Sequence, residues 1–100
     1  MFLVEDIKNV IIGIIKKYLK EENYQVVLFG SFTTGKIHSN SDIDIAIKGT
    51  GPLNLSLWSQ IEDELENSLL ERKVEIIDYF RVTADFQKII DETGIVIYQQ

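Results

Sequence analysis

The sequence predicts an α+β domain, in which a small mixed β-sheet carries helices packed on one face. Two patterns lead to this prediction. Three segments repeat apolar residues at the spacing of amphipathic helices, and short runs rich in β-branched and aromatic residues lie between them. The predicted order is helix, strand, strand, helix, strand, helix, followed by a short closing strand.

The first helix is predicted over residues 3–20, where Lys and Glu fill the face opposite the apolar stripe. The second runs from residue 55 to about residue 70, after a loop at residues 49–52 that contains Gly and Pro. Thr83 is a suitable N-cap for the third helix, and Gly94 a suitable stop. The inward residues of this last helix are expected to be Phe86, Ile89 and Ile90.

Strands are predicted at Gln25–Phe29 and at residues 41–48, 74–79 and 95–98. In the second strand, isoleucine occupies every other position from Ile43 to Ile47. Successive side chains of a strand point to opposite faces, so Ile43, Ile45 and Ile47 share one face. The other face carries Asp42, Asp44 and Ala46. The sequence therefore predicts a strand with one apolar face and one carboxylate face.

Composition narrows the class of protein. The length predicts a single domain over residues 1–100. A net charge of −6 disfavours nucleic acid as a partner, because affinity for nucleic acids comes largely from Lys and Arg. No apolar run approaches a membrane span, and the absence of cysteine is typical of a reducing, cytoplasmic setting. Small domains often gain stability by association, so homo-oligomerisation stays open.

Two features point to a metal-bound phosphate ligand. Asp42 and Asp44 lie one residue apart on a strand, so both carboxylates can share a hard cation such as Mg²⁺. Gly30-Ser31 follows the preceding strand and opens a turn, where free backbone N–H groups and a hydroxyl can bind phosphate oxygens. Glu75 on the next strand is the expected third acid, with Asp78 as the alternative on the opposite face.

These residues match a known pattern: Gly30-Ser31, ten intervening residues and then Asp42-Ile43-Asp44. The pattern resembles the Gly-Ser-x10-Asp-x-Asp signature of minimal nucleotidyltransferases, which belong to the DNA polymerase β-like nucleotidyltransferase superfamily. The resemblance extends over most of the chain, since residues 74–78 are similar to the family's Val-Asp-Leu-Leu-Asp strand.

The resemblance implies the nucleotidyltransferase fold and transfer of a nucleotidyl group, AMP if the substrate is ATP, to a hydroxyl. In that role Asp42 and Asp44 coordinate the Mg²⁺ that bridges the triphosphate. Glu75 helps to bind a second ion and orients or deprotonates the attacking hydroxyl. Gly30 and Ser31 hold the terminal phosphates.

Family members often carry Arg directly after Gly-Ser, where this chain has Phe32. Lys36, with Thr33 and Thr34, is the expected substitute in phosphate binding. Similar minimal nucleotidyltransferases work beside a small helical HEPN protein, often as the antitoxin of a toxin–antitoxin pair, and some transfer AMP to a tyrosine of that partner. The resemblance therefore implies a HEPN-type partner here.

A second function is also compatible with the residues. A catalytically weak or inactive module that keeps its nucleotide pocket would neutralise the partner by direct binding. Phe32, and Glu75 in place of the family's Asp, favour this alternative. The preferred base and the acceptor are not indicated by any motif.

Overall fold

The computed structural model describes residues 4–20, 23–30, 43–68 and 73–100. The helices are α1 (Val4–Tyr18), α2 (Leu55–Glu66) and α3 (Ala84–Thr93). The strands are β1 (Gln25–Phe29), β2 (Ile43–Lys48), β3 (Val74–Asp78) and β4 (Ile95–Gln99), and a short 3-10 turn covers Tyr79–Arg81. In this described part of the chain, no helix has both the length and the apolar character needed to cross a bilayer.

The strands form one mixed sheet in the order β3-β2-β1-β4. Strand β1 pairs antiparallel with β2 and with β4, whereas β2 pairs parallel with β3. The connection from β2 to β3 passes through α2, as a parallel pair requires. The predicted α+β class with a small mixed sheet is confirmed.

The larger apolar cluster lies between the sheet and helices α1 and α2. Alternate residues of β1 and β2 point toward these helices, and their side chains are buried. The central members are Ile11 and Ile15 of α1, Val26 and Leu28 of β1, Ile43, Ile45 and Ile47 of β2, and Ile61 and Leu65 of α2. Burial of each such side chain contributes roughly 1.5–3 kcal/mol, so this face carries most of the core.

Helix α3 packs on the opposite face of the sheet, which corrects one detail of the prediction. Ile90 of α3 clusters with Val27, Phe29 and Ala46, the residues of β1 and β2 that point away from α1 and α2. The reason is that β1 is apolar on both faces: Val27 and Phe29 lie on the second face, beside Ala46 of β2, so this face needs a cover as well. The helices are thus divided between the two faces.

Most predicted boundaries agree with the structure. Strand β1 has the predicted bounds, and the closing strand is present as β4. The Thr83 hydroxyl caps α3 by accepting the Phe86 N–H at 3.3 Å. Helix α2 ends at Glu66, earlier than predicted, because the Asn67 and Ser68 side chains bond to carbonyls of its last turn.

The prediction for Ile89 was wrong. Its side chain is 49% exposed, whereas Ile90 is 1% exposed and Phe86 is partly buried. Phe86 and Ile90 lie four residues apart and share the line of α3 that contacts the sheet. Ile89 is displaced from that line by one residue, about 100° around the helix, and so faces outward.

Gly94 follows the last turn of α3, and steric crowding requires a glycine at this position. Its backbone has φ −77°, a value open to any residue. A Cβ at this position would collide with the Ile90 carbonyl oxygen and with Cγ1 of Val27 on β1. The end of α3 therefore lies directly against the central strand.

Tyr24 places a polar atom in the core. The residue is 2% exposed, and its hydroxyl has no hydrogen-bond partner among the described residues. The ring packs against that of Tyr98, with 5.9 Å between centroids. Burial raises the pKa of Tyr24 to about 12. A buried hydroxyl without a partner lowers stability, because its hydration is lost without replacement.

We expect Tyr24→Phe to be as stable as the wild type at pH 7, or more stable by about 1 kcal/mol, because the substitution removes the unsatisfied hydroxyl. The folded-state pKa lies above the unfolded value. The raised pKa of Tyr24 therefore leaves stability unchanged below pH ~10 and lowers it as the pH rises toward 12.

Urea unfolding between pH 7 and 12 measures both effects, and Tyr24→Phe should show a shallower loss in this range. Tyr98→Phe is the control, because the Tyr98 hydroxyl bonds to exposed Gln100. A loss of stability at neutral pH in Tyr24→Phe alone would contradict the expectation.

Candidate functional site

The site begins where β1 ends and β2 starts. Gly30 follows β1 with φ +80°, in the left-handed region that favours glycine. A Cβ built on Gly30 would lie 2.5 Å from Oδ2 of Asp44. The Asp44 carboxylate thus lies over the Gly30 backbone, in space that a side chain at residue 30 would fill. The glycine of the Gly-Ser pair and the second acid of Asp-x-Asp are brought together.

Asp44 and Glu75 are cross-strand neighbours. Asp44 of β2 is in register with Glu75 of β3 on one side and with Phe29 of β1 on the other. Residues in register point to the same face of a sheet, so both carboxylates lie on the face that α3 covers. Asp44 is partly buried, and the Glu75 side chain is 45% exposed. These two hard oxygen donors on one face are suited to a divalent cation.

Asp78 lies on the opposite face, in register with Ile47. It is 5% exposed, and both of its oxygens accept hydrogen bonds: Oδ2 from the Leu53 N–H at 2.9 Å and Oδ1 from the Phe80 N–H at 3.1 Å. Arg81 adds an ion pair at 3.3 Å and donates to the Leu53 carbonyl at 2.9 Å. Asp78 therefore joins the loop before α2 to the end of β3, and this position favours Glu75 as the third acid.

The remaining predicted site residues lie outside the described part of the chain. They are Ser31, Thr33, Lys36 and Asp42. Within the described residues no group of three or more His, Asp or Glu side chains forms a metal site, and Asp42 is not among these residues. The roles of these four residues, and the full set of three acids, stay predictions.

An aromatic pair supports the acid-bearing end of the sheet. Phe29, the β1 neighbour of Asp44, meets Phe86 of α3 edge to face, with 5.9 Å between the ring centroids. Phe29 is buried in the smaller apolar cluster together with Ala46 of β2. The pair fixes α3 against β1, next to the strand that presents Asp44. Helical spacing predicted that Phe86 faces inward, but the sequence did not reveal its partner.

Two lysines on this side of the sheet have different partners. Lys73, just before β3, places Nζ 3.4 Å from Oε1 of Glu75. Lys48, at the far end of β2, lies with Nζ 4.4 Å from the centre of the Tyr79 ring and 3.8 Å from Asp91. The Tyr79 hydroxyl donates to Asp91 at 2.8 Å, and this hydrogen bond raises the pKa of Tyr79. Sequence analysis did not identify either lysine.

Comparison with known sequences gives the family. The model of the family described as "Polymerase beta, Nucleotidyltransferase" matches residues 9–100. The chain is 31% identical over 97 residues to the "Probable protein adenylyltransferase MntA" of Haemophilus influenzae, and the alignment covers 95% of this chain and 85% of that protein.

Comparison with solved structures agrees with the fold. A chain of a toxin–antitoxin structure with AMP-PNP has a TM-score of 0.78 at 24% identity, covering 93% of this chain and 73% of the other. The complex of a tri-AMPylated Shewanella oneidensis HEPN toxin with its MNT antitoxin contains a chain with a TM-score of 0.71 at 19% identity, covering 93% of this chain and 70% of the other. At these identities the likeness shows a shared fold.

We expect Gly30→Ala to destabilise the protein by about 1–3 kcal/mol, because alanine is strained in the left-handed region and its Cβ would displace the Asp44 carboxylate. Thermal and urea unfolding measure the loss. Gly13→Ala is the matched control: nothing lies within 4 Å of a Cβ there, and alanine should stabilise α1 by up to about 1 kcal/mol. Equal stability of Gly30→Ala and the wild type would be incompatible with the described geometry.

Asp78 and Glu75 should respond differently to neutralisation. Asp78→Asn should lower the free energy of unfolding by about 1–3 kcal/mol, because an NH₂ group would face a donor that a carboxylate oxygen now satisfies. Glu75→Gln should change it by less than about 0.5 kcal/mol, because its ion pair is exposed. Urea unfolding of both variants measures the contrast, and the reverse order would exchange the roles assigned to the two residues.

Proposed function

We propose, since the chain belongs to the polymerase β nucleotidyltransferase family, that it binds ATP with Mg²⁺ and transfers AMP to a hydroxyl of a helical HEPN-type protein, as the antitoxin of a toxin–antitoxin pair. The observation that carries the proposal is the Asp44 carboxylate lying over Gly30, with Glu75 in register beside it. The protein adenylyltransferase name of the Haemophilus relative supports the choice of reaction.

Asp42, Asp44 and Glu75 are the residues proposed to hold Mg²⁺, as one ion or as two. Their oxygens are the hard donors that Mg²⁺ prefers, and Asp44 and Glu75 lie on one face of the sheet. When bound, Mg²⁺ would neutralise charge on the triphosphate and on the leaving pyrophosphate. Glu75, the more exposed of the two described acids, would accept the proton of the attacking hydroxyl or orient it.

The turn after β1 is the proposed phosphate site. The Asp44 carboxylate lies over the Gly30 backbone, so a metal ion held by Asp44 would be next to this turn. Ser31 and Thr33 would donate hydroxyl hydrogen bonds, and Lys36 would supply positive charge. With the terminal phosphates held in this way, an acceptor hydroxyl would attack the α-phosphate, and its new P–O bond would form as the bond to the leaving pyrophosphate breaks. Positioning and charge neutralisation then provide most of the rate.

The test is transfer of label from ATP. The purified protein is incubated with α-labelled ATP, Mg²⁺ and a HEPN-type helical protein, and the label on that partner is counted. We expect label on the partner with the wild type and a loss of at least about 100-fold with Asp44→Asn, since that substitution removes a metal-binding charge. Asp63→Asn, on the exposed face of α2, is the matched control and should keep full activity.

Three outcomes separate the candidates. Label that depends on Asp44 supports the enzyme. Inhibition of the partner without any label supports the alternative of a nucleotide-binding module that neutralises the partner by contact. Transfer that persists in Asp44→Asn would reject the assigned site. Competition with unlabelled GTP, CTP and UTP in the same assay identifies the preferred base.

A further inference from the structure

Lys73 contacts one of the proposed metal ligands directly. Its Nζ lies 3.4 Å from Oε1 of Glu75, and the two residues are separated by one residue at the start of β3. Side chains two positions apart along an extended chain point to the same side. The ammonium group is therefore placed on the face that carries Asp44 and Glu75.

The backbone of Lys73 is held in place. The Ile43 N–H donates to the Lys73 carbonyl at 2.9 Å, which joins the start of β3 to the start of β2 one residue before Asp44. The side chain beyond this fixed point is 69% exposed and has several rotatable bonds. Lys73 can thus leave Glu75 without any movement of the sheet.

The electrostatics explain why a cation is needed at this position. Asp44 and Glu75 are direct cross-strand neighbours, and like charges opposite each other destabilise a sheet. Lys48, which lies on the same face of the sheet, contacts Tyr79 and Asp91 instead. Lys73 forms an ion pair with Glu75, one of these two acids.

We infer that Lys73 is an exchangeable counter-cation of the metal site. It balances Glu75 when no metal is present and gives way when a divalent ion coordinates the same carboxylate. Lys73 thereby competes with the metal for Glu75. This competition sets the metal concentration at which the site becomes occupied. An exposed ion pair is weak, so the competition is modest and reversible. This role rests on the proposed metal site, and Lys73 is a positioning residue that acts through Glu75.

The test is metal binding without nucleotide or partner. Mn²⁺, a paramagnetic substitute for Mg²⁺, is titrated into the full chain, and free Mn²⁺ is measured by electron paramagnetic resonance. We expect Lys73→Gln to bind Mn²⁺ about 2- to 5-fold more tightly than the wild type, as loss of a weak competing ion pair requires. Lys73→Arg keeps the charge and should restore wild-type affinity.

Lys88→Gln is the matched control. Lys88 is 73% exposed and pairs with Glu92 at 3.9 Å on the solvent side of α3, so its removal makes the same change in net charge without freeing a proposed ligand. We expect its Mn²⁺ affinity to stay within the error of the wild type.

Several results would overturn the inference. They are equal or weaker Mn²⁺ binding by Lys73→Gln, equal tightening by Lys88→Gln, and no Mn²⁺ binding by the wild type. Failure of the proposed function is a different result: tighter binding by Lys73→Gln together with no transfer of label to the partner would uphold the counter-cation and reject the adenylyltransferase.

Discussion

The juxtaposition of two carboxylates on neighbouring strands is the constraint on which the proposed site depends. Asp44 and Glu75 are in register on adjacent parallel strands, an arrangement that raises the energy of a sheet unless a cation is near. The surrounding structure supplies what the arrangement needs. Gly30 leaves room for the Asp44 carboxylate, Lys73 pairs with Glu75, and the Phe29–Phe86 contact holds the strand end in place. The proposed cation binding is therefore linked to stability at this end of the sheet.

The two faces of β2 have separate tasks. Ile43, Ile45 and Ile47 are completely buried against the helices α1 and α2, and they anchor the strand in the larger core. Asp44 lies between these anchors on the reverse face, so its backbone is fixed by residues that lie outside the proposed site. A rigid strand positions a carboxylate more accurately than a loop does, which suits a site that depends on geometry.

Local patterns in the sequence were sufficient to predict much of the fold. Strict alternation along residues 41–48 predicted the acid face of β2, and the same two-residue period placed Glu75 on the corresponding face of β3. Other features depend on partners far away in sequence. Asp78 is buried because Leu53, 25 residues earlier, donates to it, and no local pattern contains that contact.

The same reason applies to α3. Its place on the second face depends on Val27 and Phe29, strand residues that local spacing cannot assign to a helix. The helical pattern likewise could not decide between Ile89 and Ile90, because either one is consistent with an apolar stripe. The ion pair of Lys73 depends on a side-chain rotamer, which sequence does not specify. The predictions for Ser31, Thr33, Lys36 and Asp42 stand as made.

The close contact at Gly94 restricts how the molecule can move. Because the end of α3 touches β1 with no space for even a methyl group, the helix cannot slide along the strand there. The Phe29–Phe86 contact fastens the same two elements a second time, nearer Asp44. Helix α3 and strand β1 must consequently move as one rigid body. A protein that bound to the outer side of α3 would therefore displace the helix and the sheet together. The distance from the helix to Asp44 and Glu75 would stay the same.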